Sequence, residues 1–177
     1  MIRRRYLSLV LLAHVAWAHS GRPAVRPDQV VTRFYATIAQ RSDGFLGDLD
    51  RLTPFLSIRL RSLVASAKKA NNDYLKLHPG DVPPFEHGSC VFLGIGDCDL
   101  SAFKVIRTRG TPTAPLVTVE LQLYDRRGPD LAPFRWTNTI ALRLEDRRWV
   151  IFDVKTPGGT SSDQLVAIIE ESGVMKK

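Results

Sequence analysis

The sequence predicts an α+β domain: N-terminal helices, a curved antiparallel sheet of four or more strands, and a short C-terminal helix. Three observations carry this. Two stretches in the first half repeat apolar residues at helical period. Four β-type runs then follow one another: Ser101–Arg109, Leu116–Asp125, Phe134–Glu145 and Arg148–Lys155. The turns between them (Arg109–Pro112, Arg126–Asp130 and Glu145–Arg147) leave no room for a crossover helix, so neighbouring strands are antiparallel.

Residues 1–18 read as a secretory signal rather than as part of the fold. Arg3, Arg4 and Arg5 precede an apolar run, and Ala16-Trp17-Ala18 offers signal peptidase a small-x-small site before His19. A retained anchor and a twin-arginine signal are the alternatives; the apolar run is short for about 30 Å of hydrocarbon. Removal of residues 1–18 from a chain of 177 leaves 159, one domain's worth. The formal charge of +7 falls to +4 without the three signal arginines, too mild to argue for nucleic acid. The expected location is periplasmic or secreted, with no integral membrane segment after cleavage.

Residues 19–26 form a polar lead, and residues 27–172 form the domain. Pro27 suits a first helical turn, and Val30, Val31, Phe34, Tyr35 and Ile38 make one apolar stripe over a helix from Pro27 to about Arg41. A glycine-punctuated loop, Ser42–Asp48, and a short turn lead to Pro54. Ser57 then caps a longer helix that buries Leu60, Leu63, Val64, Ala67, Ala70, Tyr74 and Leu77. Arg61, Lys68, Lys69 and Lys76 gather on its other side. That basic face is either a solvated helix surface or a docking face for an acidic partner or anionic headgroups.

Residues 81–100 read as a long irregular segment holding both cysteines. In an oxidising compartment Cys90 and Cys98 are expected to form a disulfide, contributing at most about 2.5 kcal/mol and chiefly fixing loop shape. A metal set of His87, Cys90, Asp97 and Cys98 matches no common zinc spacing, so neither metal nor cofactor is expected. In the sheet, Val117, Val119, Leu121 and Leu123 alternate with polar neighbours, as do Ile140, Leu142 and Leu144. One sheet face is therefore covered by helices and the other is mixed. The last strand is apolar on both faces up to Asp153. Gly158-Gly159 closes the sheet region, and Ser161-x-x-Gln164 reads as a capping box for the final helix, with residues 173–177 as a tail.

Val30-Val31-x-x-Phe34-Tyr35, Pro54-Phe55-Leu56-Ser57-x-x-Leu60 and Trp149-x-Ile151-x-Asp153-Val154 occur in order. Together they resemble the helix signatures and closing strand of the cystatin-like, nuclear transport factor 2-like superfamily. Within it the chain is similar to a bacterial secreted branch described as a domain of unknown function. The resemblance covers about residues 27–155 and implies a helix-lidded cone whose wide end often holds a pocket. It leaves activity open, because enzymes, ligand binders and interaction modules share that fold.

Enzymes of the cone fold place an acid–base pair in the pocket. Here Asp153 with Tyr35 is the candidate for an isomerase, dehydratase or hydrolase. The plainer reading gives Asp153 backbone donors or an arginine such as Arg33. Trp136 and Trp149 are core residues or pocket lining. The expected function is a non-catalytic binding module for a protein partner or a small ligand, with toxin neutralisation as one form and a homodimer possible.

Overall fold

A computed structural model describes residues 25–40, 49–81, 90–94, 100–123 and 133–174. The proposed signal segment and the turn at 126–130 lie outside the described residues. The order is α1 (Pro27–Ala39), α2 (Leu49–Leu52), a 3-10 turn (Thr53–Phe55), α3 (Ile58–Leu77) and α4 (Cys90–Leu93). Then come β1 (Leu100–Thr111), β2 (Ala114–Leu123), β3 (Arg135–Glu145), β4 (Arg148–Thr156), β5 (Gly159–Thr160) and α5 (Ser161–Val174). The strands form one open antiparallel sheet in chain order. The α+β class and the helix-then-sheet order are as expected.

The apolar stripe of α1 is buried in full and lies on one face of the sheet, where Tyr35 meets Phe103 with ring centroids 5.9 Å apart. That inner face is set by alternation: Val117, Val119, Leu121, Ile140, Leu142 and Val154 are almost wholly buried. Burying a side chain of this kind contributes about 1.5–3 kcal/mol. β1 carries two register irregularities, at Ser101 and Ile106, and β4 carries one bulge; each bends its strand locally. In β4 the extra residue is Phe152, so Ile151 returns to the inner face while Asp153 points to the other side.

The start of α3 is tied to the sheet. Leu56 bridges Ile151, Ser57 donates its N–H to the Ile151 carbonyl at 2.8 Å, and Glu145 accepts the Ile58 N–H at 3.1 Å. The Ser57 side chain accepts the Leu60 N–H at 3.2 Å, the expected cap, a contact of about 1 kcal/mol. Asn71-Asn72-Asp73 does not break this helix, which runs on to Leu77.

Four expectations are corrected. Leu77 is exposed, because it falls on the last turn of α3, beyond the neighbours that bury Tyr74. Gly158-Gly159 does not close the sheet; Gly159 turns back at φ +119 and pairs with Thr156, making the fifth strand. The cap of α5 is Thr160, whose side chain accepts the Asp163 N–H at 3.1 Å. Ser161 instead points inward and donates to the carbonyls of Val91 at 2.7 Å and Val154 at 3.3 Å. Finally, residues 81–100 are not irregular throughout: Cys90–Leu93 form a helical turn whose Phe92 and Leu93 are wholly buried.

Candidate functional site

A one-turn helix leaves its last carbonyls without intrahelical partners, and at α4 these carbonyls are buried. Side chains from three elements supply the donors. Asn138 on β3 donates through Nδ2 to the carbonyls of Phe92 at 3.0 Å and Leu93 at 3.3 Å. Trp136, two residues earlier on the same face, donates its indole N–H to Leu93 at 2.8 Å. Tyr35 from α1 donates to Phe92 at 3.4 Å and accepts from Asn138 Nδ2 at 3.2 Å. Ser161 of α5 takes the Val91 carbonyl.

Tyr35 and Trp136, both expected at a pocket, are thus brought together, and what they hold is the protein's own chain. Burial pushes the Tyr35 phenol far above its ordinary value, with the Asn138 hydrogen bond pulling the other way. The phenol is therefore a neutral donor across the physiological range. Asn138 was not singled out from the sequence. Its signal was a polar residue at an inward position between Trp136 and Ile140.

Asp153 lies elsewhere. Its Oδ1 accepts the Val154 N–H at 2.9 Å and the Ser162 N–H at 3.1 Å, the latter in the first turn of α5, where a carboxylate also meets the positive end of the helix dipole. Oδ2 stands 4.0 Å from Arg59, which also donates to Ser162 Oγ at 3.0 Å. Arg59, not Arg33, is the arginine beside it. Asp153 and Tyr35 belong to separate hydrogen-bond networks on opposite sides of the sheet.

Trp149 is half-buried at the start of β4 and lines a surface cleft with Val30, Phe55 and three arginines. Arg61, Lys68, Lys69 and Lys76 do share one shallow groove along α3. Three of them are matched by carboxylates: Lys68 to Asp50 at 2.9 Å, Lys69 to Asp73 at 2.7 Å and Lys76 to Asp73 at 3.8 Å. Cys90 opens α4, whereas Cys98 lies outside the described residues, and the expected bridge with it. His87 and Asp97 lie outside them as well.

A second charged surface is less compensated. Register places Lys104, Arg107 and Arg109 of β1, Arg135 and Arg143 of β3, and Lys155 of β4 on the sheet face opposite α1. All six are exposed. Three carboxylates share that face: Glu120 sits in the pairing row of Lys104, Glu145 accepts the Ile58 N–H, and Asp153 is occupied by α5. Arg143 stacks over the Phe152 ring at 3.6 Å. Among the described residues no helix is long and apolar enough to cross a membrane.

No family model matches the chain, and no curated protein matches it. Among solved structures it is similar to a phospholipid-binding protein from Ralstonia solanacearum, determined in complex with a phospholipid. The two are 14% identical over 84% of this chain and 94% of that one, with a TM-score of 0.41. A likeness of that size carries no argument about what this chain binds.

Proposed function

We propose that the chain is a periplasmic or secreted, non-catalytic binding module that engages an acidic partner protein through the outer face of its sheet. The observation that carries this reading is the row of exposed cations held in strand register on that face. Aligned charge of predominantly one sign steers an oppositely charged partner and disfavours self-association through the same surface. The basic side of α3 is the weaker candidate, because its lysines already face carboxylates of their own chain.

Two features support a non-catalytic role. Asp153 has both Oδ1 contacts on backbone donors, and Tyr35, Trp136 and Asn138 hold α4 in place. The group that would act as base and the group that would assist it do not meet. On this reading the fold is a member of the cystatin-like superfamily with its inner face occupied by α4, and inhibition of an envelope protein is one form the binding takes.

The test is capture from envelope extract on immobilised His19–Lys177, compared with the charge-reversed pair Arg107→Glu and Lys155→Glu. These residues lie in one pairing row across the sheet and are exposed. One acidic protein retained at low salt, released as salt rises and lost on charge reversal is the expected result. Equal retention by the variant, or nothing retained, overturns the reading.

A further inference from the structure

We infer that the cleft over Trp149 is a binding site for a small amphiphilic anion, an apolar body carrying one carboxylate or phosphate. This goes beyond the protein-binding reading and centres on a different part of the molecule, the end of the sheet where the β1–β2 and β3–β4 hairpins meet the start of α1. Only Arg109, in the extension, is shared with the basic sheet face.

The cleft has a cavity of about 250 Å³ with a floor of Val30, Pro54, Phe55 and Trp149. Its charged lining is Arg33 of α1, Arg147 of the β3–β4 turn and Arg148 of β4, with no carboxylate among the lining residues. A shallower extension of about 470 Å³ shares Trp149 and continues past Arg109 to Pro112 and Pro115. An apolar floor with a few convergent polar groups is the usual build of a small-ligand site. None of Arg33, Arg147 and Arg148 appears in an ion pair among the described residues. Three arginines border one small volume, and guanidinium groups turned into it repel one another until an anion neutralises them.

Arginine throughout, rather than lysine, points the same way. The planar fork matches a carboxylate or phosphate with two parallel N–H bonds. A peptide is a poorer fit, because Pro27, Pro54, Pro112 and Pro115 line the two depressions and prolines have no N–H for a partner backbone.

Arg147 adds an independent observation. The hairpin turn is two residues, Asp146 at φ 48 and Arg147 at φ 61. Both central positions of such a turn require positive φ, and the second normally takes glycine. Arginine is held there in a conformation that L residues rarely adopt, which disfavours folding. A side chain kept in a strained position at a cleft is a mark of use by the site.

The test titrates the purified protein with sodium octanoate, octyl phosphate and 1-octanol, following heat and the Trp149 indole N–H signal in nitrogen-15 spectra. Octanoate or octyl phosphate is expected to shift that signal and octanol to bind at least about tenfold more weakly. The stronger of the two anions identifies the headgroup. Arg147→Gly is expected to weaken anion binding by about tenfold while leaving the thermal midpoint unchanged or higher, since glycine relieves the turn. Arg147→Lys keeps the charge and loses the fork, and falls between the two. Octanol binding as tightly as octanoate, no shift up to about 10 mM, or unchanged affinity in Arg147→Gly overturns the assignment. Tighter binding of tetraglutamate than of either amphiphile also overturns it, by making the cleft a peptide site. These outcomes do not depend on whether the sheet face captures a protein.

Discussion

Asn138 Nδ2 donates to the carbonyl oxygens of both Phe92 and Leu93, 3.0 and 3.3 Å away, from the buried centre of β3. One amide thereby satisfies two of the carbonyls that a single helical turn cannot satisfy for itself. Its Oδ1 is buried without a partner among the described residues, so the orientation is set by the carbonyls. Only a neutral side chain with a short NH₂ group does this at that position.

Asn138→Ala is therefore expected to destabilise the fold by about 2 kcal/mol, through the space left behind and two buried carbonyls left with only the Tyr35 and Trp136 donors. Asn138→Asp costs more, because it sets a carboxylate against two carbonyl oxygens. Urea unfolding checks both: the midpoint falls and the slope is kept. A midpoint for the Asp variant at or above that of the Ala variant would remove the donor role.

Tyr35 gives the fold an alkaline limit. Its phenol is held above the ordinary value of 10.0 chiefly by burial, so it stays protonated in the folded chain while the unfolded chain ionises. Above pH 10 the unfolded state then binds fewer protons than the folded state, and stability falls as pH rises, by about 1.4 kcal/mol per pH unit from this group. Below pH 10 the group contributes no pH dependence. Tyr35→Phe lowers stability at neutral pH by losing the contacts to Phe92 and Asn138, but its decline between pH 10 and about pH 11.5 is shallower. Parallel curves for the two proteins would show that the phenol ionises freely.

Asp153 supplements the Thr160 cap by accepting a second N–H in the first turn of α5. Asp153→Ala removes the acceptor for the Val154 and Ser162 N–H groups and is expected to cost about 1 kcal/mol, or roughly 2–4 °C in thermal midpoint. Asp153→Asn keeps an oxygen in the same place and retains most of that. A general base would not discriminate in this way, since Asn and Ala are equally unable to take a proton. Equal losses in the two variants would sink the cap.

The parts of this fold legible in the sequence are those set by local period. The α1 stripe from Val30 to Ile38, the Ser57 cap and the alternation from Val117 to Leu121 each lie within one element and are repeated there. What was not legible depends on residues far apart in the chain. α4 is four residues long, too short for a period to be counted, and its donors come from positions 35, 136, 138 and 161. Asp153 stood out as a carboxylate in an apolar strand, but the Phe152 bulge that turns it toward α5 leaves no pattern. The cleft at Trp149 was half visible, as an aromatic of uncertain side. Its three arginines come from a helix, a turn and a strand.

Gly94 follows α4 directly at φ +82, the left-handed position where a helix end favours glycine. A Cβ there would overlap the Thr156 side chain, whose hydroxyl donates to the Gly159 carbonyl at 2.9 Å and accepts from Gly158 and Gln164 at 3.2 Å each. Neither side can give way cheaply, since moving Thr156 opens the turn that starts β5. Gly94→Ala is expected to cost about 3 kcal/mol or more, combining strain with the clash. Gly159→Ala has the strain alone, with nothing within 4 Å of its new methyl, and should cost about 1–2 kcal/mol. Adding Thr156→Ala to Gly94→Ala separates the causes. If the clash dominates, the double variant is more stable than the sum of the single changes, by a coupling of about 1 kcal/mol or more. Strict additivity, read from urea midpoints of the four proteins, would mean that φ alone holds the glycine there.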